Sequence, residues 1–88
     1  MRNHVVVVGF GTKGKSALET LQNNGASASQ VVVIDSRPSA ITDANIRGYA
    51  AIEGDATRRE ILRRAEIMKA REVLITVDRD DSAILVML

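Results

Sequence analysis

Residues 5–16 read VVVVGFGTKGKS, and two nucleotide-binding motifs overlay on that stretch. As G-x-G-x-x-G it runs Gly9, Phe10, Gly11, Thr12, Lys13, Gly14 and predicts a turn that seats the pyrophosphate of a dinucleotide. As G-x-x-x-x-G-K-[ST] it runs from Gly9 through Gly14 to Lys15 and Ser16 and predicts a P-loop. A P-loop nucleotidase sets its lysine against the outer phosphates, holds Mg2+ with the Ser or Thr, and needs an Asp on another strand for the same ion. The run VVVID, 31–35, ends in Asp35 but comes after a single helix. A dinucleotide fold puts an acid there, about 20 residues beyond the glycine turn, to hold ribose hydroxyls. Asp35 stands 21 residues after Gly14. The 88 residues also carry nothing resembling a switch that would place an attacking water. The dinucleotide turn is therefore preferred. Gly9 leaves the strand tightly, Gly11 admits the pyrophosphate to the backbone, and Gly14 lets the helix pack close to the sheet. The amides at the helix start face the anion. Lys15 and Ser16 become early helical residues, Lys15 in solvent.

Working outward, 4–8 is a β-branched apolar run without alternation, the pattern of a strand buried on both faces. Residues 12 to about 23 change to helical period, with Ala17, Leu18 and Leu21 on one face, and Asn23-Asn24-Gly25 stops them. After the second strand, Ser36 is expected to cap a helix that has Pro38 in its first turn, a modest apolar face of Ile41, Ala44 and Ile46, and Gly48 as its end. A third strand follows at about 49–53, with a turn at Gly54-Asp55. Thr57 to Glu60 has the form of a capping box, and Ile61, Leu62 and Ala65 line the helix behind it. A fourth strand is expected over 72–77, and a fourth helix from the cluster Asp78–Ser82 to the end of the sequence. Strict β-α alternation with short loops predicts an α/β, Rossmann-like fold: a parallel sheet with right-handed crossovers and helices on both faces.

Composition narrows the function classes. Without cysteine there is no disulfide, thiolate metal site or thiol catalysis. Phe10 and Tyr49 are the only Phe, Tyr or Trp, so the core is aliphatic. A net charge of +1 gives no pull toward nucleic acid. The basic cluster Arg58, Arg59, Arg63, Arg64, Lys69 and Arg71 is better explained as a solvated helix face. No apolar run approaches the roughly 20 residues that span a bilayer, so the segment is expected to be cytosolic and not itself membrane-inserted. His4 lacks the neighbouring ligands of a metal site. Asp78, Asp80 and Asp81 offer the oxygen ligands Ca2+ takes, but helix capping accounts for them, and no metal site is assigned.

The pieces HVVVVGFGTKGKS, VVVIDSRP, IEGDATRREILRRAEI and REVLITVDRDDSAI together resemble the N-terminal Rossmann lobe of RCK domains, also called Trk-N or KTN domains. These are cytosolic regulators of prokaryotic potassium channels and potassium transporters. The resemblance covers nearly the whole sequence, and Gly54-Asp55-Ala56-Thr57 is its most specific element. It implies ligand sensing without catalysis, with NAD(H) or ATP/ADP as the regulatory ligand. Gly9, Phe10, Gly11, Thr12, Lys13 and Gly14 would hold the pyrophosphate, Asp35 with Ser36 and Arg37 the ribose side, and Gly54, Asp55, Ala56 and Thr57 the adenine side. Thr76 and Val77 would line the crevice at the end of the fourth strand. It further implies a homodimer or larger ring of like domains, and a membrane pore subunit in the parent chain.

Two departures from the family pattern stand out. Asp80-Asp81-Ser82-Ala83 carries alanine where the family commonly has asparagine. The family lobe also continues for about two more strands and helices, which this sequence does not carry. The apolar run 83–88 has no helix-ending signal either, so residues 1–88 are expected to be the N-terminal part of a full lobe, or else to bury that helix on a partner. Individual side chains keep simpler readings. Asp35 would also serve as a helix cap, and Asp55 as a turn residue. Arg37 is read equally as a solvated residue or as a contact to an adenine face or a phosphate, including the 2′-phosphate of NADP. The alternative function is the cofactor-binding fragment of an NAD-dependent oxidoreductase, for which the sequence offers no convincing acid or base beside a nicotinamide.

Overall fold

A computed structural model describes residues 1–76. The order is β1 (Val5–Val8), α1 (Thr12–Asn23), β2 (Val31–Asp35), α2 (Pro38–Ile46), β3 (Ala50–Glu53), α3 (Arg59–Arg64) and β4 (Glu72–Ile75), with 3-10 turns at Ala28–Gln30 and Ile67–Lys69. The expected fourth helix, its aspartates, the apolar run 83–88 and Val77 lie outside the described residues. All strand pairs are parallel and the sheet order is β3-β2-β1-β4. Sequence neighbours pair from β1 to β3, and the chain then crosses back to set β4 on the other side of β1. The winding therefore reverses between β1 and β4. In an open α/β sheet the ligand crevice opens at such a point, beyond the carboxyl ends of the strands.

The valine-rich strands lie at the centre because helices cover both faces. Val5, Val7, Val31 and Val33 pack on one side with Leu18, Ala40, Ala44 and Tyr49, whereas Val6, Val32 and Ile34 pack on the other with Ile61 and Ala65. Each such valine contributes about 1.5–3 kcal/mol by leaving water, and successive residues of a strand point to opposite faces, which is why the run needs no polar alternation. Both edge strands are more open: β3 and β4 each have exposed first and last residues.

Helix ends divide into those that follow the sequence signals and those that do not. Asn24 caps α1 and Gly25 turns left-handed after it, and Gly48 does the same beyond α2. Pro38 is the first residue of α2, but Arg37 holds the cap position and Ser36 caps nothing, because no side chain caps that helix. The Thr57–Glu60 capping box is also absent: α3 begins after Arg58, without a side-chain cap. Both loops carry the same local contact. Asp35 and Asp55 each accept the amide two residues on, from Arg37 at 2.9 Å and Thr57 at 2.8 Å. These Asx turns satisfy the loop before the helix starts. The apolar face of α2 is corrected too, since Ala40 and Ala44 are its buried pair and Ile46 is 79% exposed.

His4 fastens the entrance of β1 to the end of α3. Its ring is fully buried, and Nε2 donates to the carbonyl of Ala65 at 2.8 Å, which fixes the proton on that nitrogen. His4→Leu keeps the volume roughly constant but strands a buried carbonyl. It is expected to cost about 1–3 kcal/mol, measured as a lower urea midpoint at unchanged slope.

Candidate functional site

The site is built on Gly9, where β1 ends. Gly9 donates its amide to Ile34 of β2 at 2.8 Å and takes a φ of +95°, a left-handed conformation that side chains disfavour. A Cβ on Gly9 would lie 2.4 Å from the Thr76 carbonyl, and one on Gly14 would lie 2.2 Å from the Gly9 carbonyl. Thr76 closes the arrangement from β4, its hydroxyl lying 2.9 Å from the Gly9 carbonyl and 3.0 Å from that of Val8. Strand end, helix start and the end of β4 therefore meet at backbone distance, as a turn needs if it is to bring its amides up to a pyrophosphate.

Asp35 lies at the same end of the sheet and is buried. Its Oδ2 accepts from the Phe10 amide at 2.8 Å and from Arg37 Nη2 at 2.9 Å, while Oδ1 accepts from the Arg37 amide at 2.9 Å and Arg37 Nε at 3.1 Å. Four donors fill the roughly four lone-pair positions of a carboxylate. Burial by itself pushes this carboxyl up, but the Arg37 side chain, the two amides and the guanidinium charge outweigh it, and the net shift is downward. Asp35 thus ties the glycine turn to the start of α2.

The remaining expected residues fall around this centre. Gly54 donates its amide to the Asp35 carbonyl at 3.0 Å, which brings the Gly54–Thr57 turn to the end of β2. Within that turn Asp55 accepts from the Thr57 hydroxyl at 2.6 Å, and its contacts with Thr57 hold its carboxyl below the usual range. Ala56 packs on the core beneath. Lys13 and Ser36 are exposed. Phe10 is divided in use: its amide serves Asp35, but its ring is buried and meets Tyr49 edge-on at 5.9 Å.

Lys15 is not a solvated lysine. Its Nζ reaches across from α1 to Asp43 of α2 at 2.7 Å and lies 5.7 Å from the centre of the Phe10 ring. Arg47 takes the other oxygen of Asp43 at 3.0 Å. Between these helices is a cavity of about 330 Å³, lined by Gly11, Thr12 and Lys15 on one side and by Arg37, Ser39 and Asp43 on the other. Sequence reasoning missed Ser39 and Asp43. The Asp43–Arg47 pair has helical spacing and is readable, but nothing local connects Asp43 to Lys15. No three His, Cys, Asp or Glu side chains converge as metal ligands, and no helix is long and apolar enough to cross a membrane, among the described residues.

Known proteins resemble this chain over most of its length. The chain is 31% identical over 81 residues to an uncharacterized protein of Methanocaldococcus jannaschii, covering 92% of this chain and 16% of that protein. It is 33% identical over 85 residues to an uncharacterized protein of Methanothermus fervidus, covering 91% and 12%. It therefore spans less than a fifth of either relative. Among solved structures it resembles the TrkA-N domain of the inner membrane protein ybaL from Escherichia coli, with a TM-score of 0.77 and 27% identity over 88% of this chain and 55% of that one. The family model of the TrkA-N domain matches residues 5–88, and the chain belongs to the TrkA-N domain family.

Proposed function

We propose that this domain binds NAD(H) or an adenine nucleotide as a regulatory ligand and passes the binding event to a potassium channel or transporter through the packing of one lobe on another. The observation that carries it is the meeting of the Gly9–Gly14 turn with Asp35 at the carboxyl ends of β1 and β2, next to the winding reversal. Membership of a family whose domains are typically regulatory in potassium transport supports the role. In this reading the pyrophosphate lies on the start of α1, the ribose against Asp35 and the adenine toward the Gly54–Thr57 turn. Residues 1–88 act as the N-terminal part of the lobe, on the cytosolic face of a membrane protein and within a homodimer or ring.

Regulation requires the ligand to bind one arrangement better than another. The contacts of Asp35 offer a source for that difference. A ribose hydroxyl donates to Asp35 only when the Arg37 side chain gives up a position there, and Arg37 stands at the start of α2. Ligand is therefore coupled to the seating of that helix. The test is thermal unfolding of the natural full-length protein with saturating NAD+, NADH, ATP or ADP. At a ligand concentration 100 times Kd the stabilisation is about 2.7 kcal/mol, a rise of several degrees. An unchanged midpoint with all four sinks the proposal.

A further inference from the structure

The face of the sheet covered by α3 differs in charge from the rest of the molecule. Residues 57–71 hold six basic side chains, Arg58, Arg59, Arg63, Arg64, Lys69 and Arg71, against two acids, Glu60 and Glu66, a net charge of +4 in a chain whose total is +1. Ile61 and Ala65 turn one side of α3 into the core, and its four arginines are exposed. Arg59 and Arg63 stand one turn apart, on the side of the helix away from Ile61. Among the described residues, Arg59, Arg63 and Arg64 have no carboxylate in an ion pair, whereas Glu66 is taken by the N-terminal amine and Lys69. The 3-10 turn Ile67–Lys69 packs against α3 and presents Met68, at 94% the most exposed large apolar side chain described. We propose that this face is a peripheral contact for an anionic lipid bilayer, with the arginines on headgroup phosphates and Met68 entering the boundary between headgroups and acyl chains.

The contact goes beyond the nucleotide reading and does not depend on it. Guanidinium is weakly hydrated and binds phosphate oxygens in pairs, and arginines without a carboxylate partner have no ion pair to break first. Each cation close to a negative membrane surface strengthens the contact about fivefold. Glu60 is the one acid on α3, and it lessens the patch without cancelling it. Met68 decides between a bilayer and other polyanions. A bilayer offers charge at its surface and hydrocarbon just beneath, which suits an exposed methionine among cations. A nucleic-acid backbone offers the phosphates alone, and residues 57–76 contain no Phe, Tyr, Trp or His on which bases would stack. The charge distribution also sets the orientation. Outside residues 57–71 the chain is net acidic, at −3, the +1 total less the +4 of that stretch. Glu19 and Asp43 belong to α1 and α2, which cover the other face of the sheet. A negative surface therefore attracts the α3 face and repels the opposite one. Seated this way, the domain holds α1 and α2 away from the bilayer.

The test is amide hydrogen exchange of the natural full-length protein, without nucleotide, in the presence of vesicles of phosphatidylcholine or of equal parts phosphatidylcholine and phosphatidylglycerol. At a lipid concentration about ten times that of half-saturation, amides of α3 and of the 3-10 turn behind it are expected to exchange about tenfold more slowly with the anionic vesicles than with the neutral ones. Amides of α2, on the opposite face, are expected to be unchanged. The slowing is expected to vanish near 1 M salt, where charges are screened beyond about 3 Å. It is also expected to vanish in the Arg59→Gln, Arg63→Gln double variant and to weaken in Met68→Ser. All three side chains are exposed, and melting temperatures without vesicles confirm that the variants are folded. Equal exchange with both kinds of vesicle overturns the proposal, as does slowing that survives the double variant. Single-stranded RNA or polyglutamate slowing the same amides as strongly as anionic vesicles also overturns it, by showing a surface for polyanions at large. Each of these results leaves the nucleotide reading in place.

Discussion

Gly14→Ala is expected to destabilise this domain by about 3 kcal/mol or more, although the same change in an exposed helix interior would stabilise it by about 1 kcal/mol. The sign reverses because of what the new methyl would meet. Its Cβ would lie 2.2 Å from the Gly9 carbonyl oxygen, far inside contact distance. Neither side can give way cheaply. The Gly9 carbonyl is held by the Thr76 hydroxyl at 2.9 Å, and Gly9 itself is tied to Ile34 through its amide. Moving α1 outward instead would withdraw Leu18, which is 1% exposed, from the core. Loss on this scale is a large part of the 5–15 kcal/mol by which domains are typically stable, about half of it at the lower end. Urea unfolding measures it. Gly25→Ala is the control, since that glycine has φ +100° but no atom lies within 4 Å of where its new methyl group would sit. It should cost only the left-handed backbone penalty, about 1 kcal/mol. Similar costs at both positions would show that backbone conformation, and not close approach, governs the turn.

The second large effect is expected at Asp35. Asp35→Ala strands the buried Phe10 amide and leaves the Arg37 guanidinium without its carboxylate, at a cost of about 2–4 kcal/mol, and is expected to weaken nucleotide binding at least about tenfold. The pH dependence distinguishes the ion pair from simple packing. The Asp35 carboxyl is lowered in the folded protein, since the Arg37 contacts and the amides outweigh the upward push of burial. Its contribution is thus fully present above the ordinary carboxylate value of about 3.9 and is lost as pH falls through the lower folded value. The stability gap between the native protein and Asp35→Asn is expected to stay constant from neutral pH down to about 5, and to shrink below about 4. A gap that persists unchanged into strong acid would remove the ion pair from the account.

The parts of the fold readable in the sequence are those written in local backbone constraints. Four apolar runs separated by helical periods give the alternating order, and the glycines mark where the chain turns left-handed or passes close to itself. The acid at the end of β2 can be placed by counting from the glycine turn. What escapes depends on partners distant in the sequence, or on competition for a hydrogen bond. Ser36 and Thr57 have the residue types of helix caps, but α2 starts one residue later, with Arg37 at the cap position, and Asp55 takes both the amide and the hydroxyl of Thr57. Lys15 reads as solvated because its partner, Asp43, is on another helix. Arg37 is balanced in the sequence between solvent and ligand, and its two-pronged contact with Asp35 depends on how β2 meets α2. The cavity between α1 and α2 combines both kinds of information and has no signature in either segment alone.

The central claim is that the glycine turn and Asp35 together receive a nucleotide. Backbone amide chemical shifts, followed in the natural full-length protein as NAD+, NADP+ or ATP is added, test it residue by residue. The largest changes are expected at the amides of Phe10, Gly11, Thr12 and Gly14 and at Arg37, saturating together with a single Kd. Changes confined to the basic face of α3, or no change anywhere on addition of every nucleotide, would contradict it.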